Sequence, residues 1–162
     1  RDNLLWYAPN ALTQIPQSKS FTMTAKLVLH GRTTGDFGGI GMIGHFYSYM
    51  GLYQTEDGTE LRCYKGTVTD KMFKGKANEE CVLKLIGNGN RIWLKLHVLE
   101  DKTYRFSYSW DGEEFLETDP SFKLCRTTWT GAKPCLWACA RENAESEGYC
   151  DYESIRIRKA EI

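Results

Sequence analysis

The sequence predicts an all-β fold, an antiparallel sandwich of two sheets of the jelly-roll or lectin kind. Three observations predict it. Apolar and polar residues alternate over one stretch after another, the period of two that sends successive side chains to opposite faces of a strand. Turn residues separate these stretches at short, even intervals, giving roughly ten or eleven short strands and no convincing amphipathic helix. The segment Arg91 to Phe115 combines both signals: Ile92, Leu94, Leu96 and Val98 alternate, then Tyr104, Phe106, Tyr108 and Trp110 repeat the pattern after a Glu100-Asp101-Lys102 turn. A meander with one apolar, aromatic-rich face is stable only when a second sheet covers that face.

Taken in order, Asn3 to Tyr7 reads as a short strand, and Pro9 and Pro16 bracket a loop because proline removes a ladder donor. Ser20 to His30 alternates Phe21, Met23, Ala25, Leu27 and Leu29 against Thr22, Thr24 and Lys26, a half-buried strand. Phe37 to Tyr53 holds two strands around a hinge near His45-Phe46, and its glycines let another backbone or a ligand approach closely. Glu56 to Thr59 is a hairpin turn, Glu60 to Lys65 a short strand, and Gly66 to Asn78 a polar, irregular stretch. Glu80 to Ile86 is a strand that passes through the Gly87-Asn88-Gly89-Asn90 turn into the meander. Asp111-Gly112 ends the meander's second strand at a hairpin turn. Leu116 to Thr128 reads as loop around Pro120, and Trp129 to Pro134 as a further exposed loop. Leu136 to Ala140 and Cys150 to Arg158 are the last strands.

A chain of 162 residues is long enough for one domain with a real core. Lysine plus arginine and aspartate plus glutamate both number 21, so no net positive charge marks a nucleic-acid partner. No apolar run approaches the roughly 20 residues that span a bilayer, and no signal peptide is legible. The first residue is arginine, so the chain is expected to be cut from a longer, multidomain protein. The six cysteines form no CxxC pair and the three histidines are scattered, which argues against a zinc site. Both free thiols and disulfides fit them.

Sequence signatures of hydrolases and nucleotide-binding enzymes are absent. Glu113 and Glu114 follow a hairpin turn and point to opposite faces, so they cannot clamp one glycosidic bond. Asp151 and Glu153 share strand parity with Ile155 and Ile157, and two carboxylates on an apolar face need a partner. A structural calcium at Asp151 is one answer and a lysine or arginine the other; no cofactor is otherwise required. Aromatic residues make up 13% of the chain, more than a sandwich core needs, so some are candidate binding platforms. Tyr47, Tyr49 and Tyr53 share one parity beside Gly51. Either they form a sugar-stacking surface or they fill gaps against a glycine-thinned neighbour.

Several segments together carry a family resemblance: NLLW at Asn3–Trp6, FTMTAKL at Phe21–Leu27, GDFGGIGM at Gly35–Met42, FSYSWDGEEF at Phe106–Phe115, WTGA at Trp129–Ala132 and GYCDYESIRI at Gly148–Ile157. In these segments, in matching order over nearly the whole chain, it resembles the C-terminal concanavalin A-like β-sandwich of family 43 glycoside hydrolases of the β-xylosidase type. That domain is also classed as a xylan-associated carbohydrate-binding module. The resemblance implies a sandwich packed beside a catalytic propeller in the same polypeptide, with the catalytic carboxylates in the propeller. It also implies that the WTGA loop lends the ring of Trp129 to a sugar site. Tryptophan stands where the family has phenylalanine, and Lys133-Pro134-Cys135 replaces the family's apolar stretch. By residue type alone, Trp129 in a polar, glycine-containing loop is a platform or a lid over the core edge.

The expected function is therefore non-catalytic binding of plant cell-wall polysaccharide, xylan or arabinoxylan first, by aromatic stacking. Trp129 is the main platform, with Tyr47, Tyr49, Arg62 and Tyr64 beside it. The alternative is a structural accessory domain that packs on and lids the active site of a family 43 propeller.

Overall fold

In a computed structural model the structure describes residues 4–5, 11–16, 18–69, 77–125 and 131–160. Eleven strands are present among them: β1 (Leu12–Thr13), β2 (Phe21–His30), β3 (Asp36–Ile43), β4 (Phe46–Gln54), β5 (Thr59–Val68), β6 (Ala77–Ile86), β7 (Arg91–Val98), β8 (Thr103–Ser109), β9 (Leu116–Lys123), β10 (Lys133–Ala140) and β11 (Tyr149–Lys159). They form a six-stranded sheet in the order β1-β10-β3-β4-β5-β6 and a five-stranded sheet in the order β11-β2-β7-β8-β9. Every pairing is antiparallel. No helix among the described residues is long and apolar enough to cross a membrane.

The alternation read in the sequence builds the core. Met23, Ala25 and Leu27 of β2, Ile92, Leu94 and Leu96 of β7, and Tyr104 and Phe106 of β8 face inward from the smaller sheet. They meet Ile40, Met50, Leu52, Leu61 and Leu136 of the larger one. Fully burying one such aliphatic side chain contributes roughly 1.5–3 kcal/mol. Polar contacts also cross this layer. Ser48 donates its hydroxyl to that of Tyr104 at 2.8 Å. The Tyr152 hydroxyl reaches from β11 to the carbonyl oxygens of Gly39 and Trp137, at 2.7 and 2.8 Å.

Several elements depart from the expectation. β1 lies in the stretch read as a loop between Pro9 and Pro16, and β5 runs on to Val68 and β6 starts at Ala77, both inside the stretch read as irregular. Pro120 lies inside a strand, β9, rather than in a loop; β9 is an edge strand, where a missing N–H breaks no ladder. β10 begins at Lys133, ahead of the expected Leu136, with Pro134 opposite Met42 near the strand end. In β11 a bulge lies between Tyr152 and Ser154 and reverses the parity of the strand. Asp151 and Glu153 therefore do not share a face with Ile155 and Ile157. The expected strand over residues 3–7 lies mostly outside the described residues; Leu5, which is described, is buried and not in a strand. All six cysteines are free thiols, and burial pushes that of Cys135 up to about 12.

Candidate functional site

The two sheets turn very different outer faces away from the core. On the larger sheet, Phe37, Tyr47, Tyr49, Tyr53, Tyr64, Cys135 and Trp137 form a second buried cluster together with Leu5. Tyr47 and Tyr49 stack nearly parallel with ring centroids 6.4 Å apart, and Tyr49 stacks on Tyr64 at 5.1 Å. Gly66, opposite Tyr47 in the β4–β5 ladder, lies beneath its ring: a Cβ there would sit 2.5 Å from the tyrosine hydroxyl. Tyr47 and Tyr49 are 0% exposed and Tyr64 5%. The structure thus packs these rings over glycines and against one another, with no free face for a sugar.

A carboxylate holds this layer together. Glu79, at the start of β6, has a side chain only 3% exposed. Its Oε1 accepts from the Leu5 N–H and the Tyr47 hydroxyl, each at 3.0 Å. Its Oε2 accepts from the Tyr49 hydroxyl at 2.6 Å and from Arg141 Nη1 at 3.0 Å. Arg141 also donates to the Tyr49 hydroxyl and sets its guanidinium 4.2 Å from the centroid of the Tyr64 ring. Burial raises the Tyr49 hydroxyl far above its ordinary value; Arg141 opposes this and Glu79 adds to it. Burial would lower Arg141, but Tyr49 and Glu79 outweigh it and hold the guanidinium charged.

Arg62 completes the pattern at the sheet's side. Its guanidinium lies 3.4 Å from the Tyr53 ring centroid, and it donates to Glu60 at 2.7 Å and to the Tyr64 hydroxyl at 3.1 Å. Burial would raise the Glu60 carboxyl, but Arg62 and Lys84 hold it below its usual range. Of the residues singled out in the sequence, Tyr47, Tyr49, Arg62 and Tyr64 thus come together, as a closed lattice. Trp129 lies outside the described residues. Asp151 lies on the other sheet, where its Oδ2 is 3.0 Å from His30 Nε2. Glu153 pairs with Lys26 at 2.6 Å, the cationic partner weighed against calcium. Among the described residues no group of three or more His, Cys, Asp or Glu could hold a metal ion.

The outer face of the smaller sheet is open. A groove with a cavity volume of about 630 Å³ runs across β11, β2 and β7 to the β8–β9 turn. The register builds it in rows. Ser154, Lys26, Trp93 and Ser109 stand side by side on successive strands, then Arg156, Thr24, Lys95 and Ser107, then Arg158, Thr22, His97 and Arg105. Trp93 and Phe115 are its half-buried rings. The Lys95 ammonium lies 3.7 Å from the Phe115 ring centroid. Gly112 makes the turn at φ +83° and lies against Trp93, where a Cβ would come within 2.7 Å of the indole.

With this architecture in place, the comparison with known families is decisive: residues 3–158 match the beta xylosidase C-terminal concanavalin A-like domain. The chain belongs to that family. None of the curated proteins matches it. Among solved structures, the domain is similar to a bifunctional GH43-CE protein of Bacteroides eggerthii, with a TM-score of 0.81 and 22% identity over 96% of this chain and 19% of that one. A family 43 glycoside hydrolase, engineered to display both endo-xylanase and exo-arabinofuranosidase activity, has a TM-score of 0.78 at 16% identity over 93% of this chain and 31% of its own. A xylan beta-1,4-xylosidase of Bacillus halodurans C-125 has a TM-score of 0.72 at 14% identity, with 94% and 30% covered. At these identities the likeness establishes the fold, and the concanavalin A-like domain spans less than a third of each of those chains.

Sequence reasoning missed two parts of this picture. Glu79 falls between the stretch read as irregular, which ends at Asn78, and the strand read from Glu80, and no local signal marks it as the hub of a buried lattice. Trp93 and Lys95 alternate with core residues, and the sequence reading singled out neither. The available signal was an indole on the polar side of the most regular strand in the chain.

Proposed function

We propose that this domain is the non-catalytic, polysaccharide-binding part of a family 43 glycoside hydrolase, and that it takes a xylan or arabinoxylan chain along the groove over its smaller sheet. One observation carries the reading: Trp93 and Phe115 line an open groove together with the hydroxyls of Thr22 and Thr24 and a set of cations. A pyranose has an apolar ring face and a polar rim, and a surface alternating rings with donors complements both. Trp129, which lies outside the described residues, is a further platform in this proposal. The tyrosine lattice on the opposite face serves as support.

The non-catalytic part of the reading rests on what the buried carboxylates do. Glu79 is saturated by four donors. Asp36 accepts from the Arg32 and Thr33 N–H groups and the Ser146 hydroxyl, at 2.7, 3.0 and 2.8 Å. Both act as structural acceptors, whereas glycoside hydrolysis needs two carboxyls flanking an accessible bond. Affinity electrophoresis in arabinoxylan gels tests the proposal. The domain should be retarded, with retardation reduced by Phe115→Ala and by Trp129→Ala; migration equal to that in a sugar-free gel would sink it.

A second reading, that the domain braces or lids a catalytic propeller, draws on one observation. Leu12 and Ile15, in and after β1 at one edge of the larger sheet, are 66% and 65% exposed. Exposed apolar side chains at a sheet edge suit a partner surface. Tight capture of the separately expressed propeller, with no retention by polysaccharide, would favour this reading over the first.

A further inference from the structure

The groove is locally positive in a chain that is neutral as a whole. The whole chain is neutral, with 21 basic and 21 acidic residues. The groove is lined by Lys95, Arg156, Arg158 and Lys159 and, among the described residues, by no carboxylate. Glu117, on the far edge, pairs with Arg105 at 3.2 Å, and the bulged Glu153 pairs with Lys26 and Arg91. Asp111, Glu113 and Glu114 flank the groove residues Gly112 and Phe115 in the β8–β9 turn, where the Asp111 carboxylate accepts from the Ser109 hydroxyl and the Glu113 and Glu114 N–H groups. Edge strands carry charge to deter sheet-to-sheet pairing. That need is met by either sign, and it does not explain why the cations continue inward to Lys95 on a central strand.

The geometry points to an acidic sugar. We propose, building on the polysaccharide-binding reading above, that this groove recognises a uronate-bearing glycan, with the carboxylate of a uronic acid held by Arg156 and Arg158 against Lys95. Arg156 and Arg158 project from the same face of β11 two residues apart, in rows that continue through Thr24 to Lys95 and through Thr22 to His97. A guanidinium offers parallel N–H donors matched to a carboxylate. The strands of such rows lie about 4.8 Å apart, so the arginines and Lys95 span roughly the width of one or two sugar rings. The threonine hydroxyls between them and the rings of Trp93 and Phe115 favour a saccharide over an acidic peptide, which needs no ring platform.

The test uses the 162-residue chain and four probes: glucuronoxylan, the same polymer with its carboxyls reduced to alcohols, neutral arabinoxylan, and polyglutamate. The expected result is a Kd for glucuronoxylan about tenfold or more below that for its reduced form, as charge-assisted hydrogen bonds predict. The double variant Arg156→Gln/Arg158→Gln should lose that difference while its thermal unfolding stays cooperative. If the double variant does not fold, Lys95→Gln and a salt titration replace it: affinity for glucuronoxylan should fall with salt, and affinity for the reduced polymer should not. Equal affinity for the two polymers, or equal salt dependence, overturns the uronate assignment and leaves polysaccharide binding standing. Polyglutamate bound as tightly as glucuronoxylan overturns it in favour of a general anion surface. No retention by any of the three polysaccharides overturns both readings.

Discussion

The two outer faces use similar residues to opposite ends. On the larger sheet, arginines lie over tyrosine rings and reach a carboxylate whose every donor comes from the same chain. On the smaller sheet, Lys95, Arg156 and Arg158 line a groove with two rings and, among its described lining residues, no carboxylate. A buried charge is tolerated only when its partners are supplied internally. An exposed one keeps its interactions available to a ligand. One face is therefore closed on itself, and the other stays open to solvent, as the proposed binding role requires. The closed face is not perfect: Trp137 Nε1 is a buried side-chain donor with no partner among the described residues.

The largest test of this contrast is Glu79→Ala. It removes the carboxylate paired with the largely enclosed Arg141, and loss of one partner of a buried pair costs about 3–5 kcal/mol. Urea unfolding should show that loss. Lys95→Ala, on the open face, should leave the unfolding midpoint almost unchanged, and similar losses in both would erase the distinction. Next in size is Gly66→Ala, which drives a methyl group into the Tyr47 ring and should cost about 1–3 kcal/mol by overpacking. Its measurement is the same, with near-ultraviolet circular dichroism reporting the displaced tyrosine.

What the sequence disclosed follows the same division. Alternation is local, so β2, β7 and β8 and their inward faces could be read from residue spacing alone. Edge features were not legible. Pro120 argues against a strand unless one knows that β9 has a free side, and the bulge before Ser154 changes which side chains share a face without altering composition. The tyrosines beside glycines were recognised as a unit, but whether their faces were free depended on Glu79, Leu5 and Arg141, remote in sequence. The groove was hidden for a related reason. Arg156 and Lys95 become neighbours in one row only when β11 pairs with β2 and β2 with β7, and no periodicity encodes that order.

A smaller effect concerns the ion pair on the open face. Arg105 and Glu117 have side chains 42% and 63% exposed. Exposed pairs contribute about 0–1 kcal/mol. Arg105→Ala should therefore shift unfolding far less than Glu79→Ala, although each removes one partner of one arginine–glutamate contact. A loss above about 2 kcal/mol would mean that this face is also structurally closed.

The most delicate prediction concerns His97, on the groove's third row. Its Nδ1 lies 3.3 Å from the Thr22 hydroxyl on β2, and its Nε2 3.4 Å from the Ser107 hydroxyl on β8. Burial lowers its pKa below the ordinary 6.5, Lys95 and Arg105 push it further down, and Glu117 opposes them. Arg158 on β11 stands in the same row and adds positive charge. The folded chain therefore resists a proton that the unfolded chain accepts, so His97 favours folding above the unfolded value. That contribution declines as pH falls from about 6.5 toward the folded value. The held-down carboxylates Glu60 and Glu153 titrate from 4.5 downward, so their acid losses come later on the same descent. Thermal unfolding between about pH 7.5 and about pH 5.5 isolates the histidine part. His97→Gln keeps a polar side chain without the titration and should flatten the decline in Tm over that window. A decline identical to that of the parent chain would show that the histidine is solvated, and would weaken the picture of a shaped, cation-lined groove.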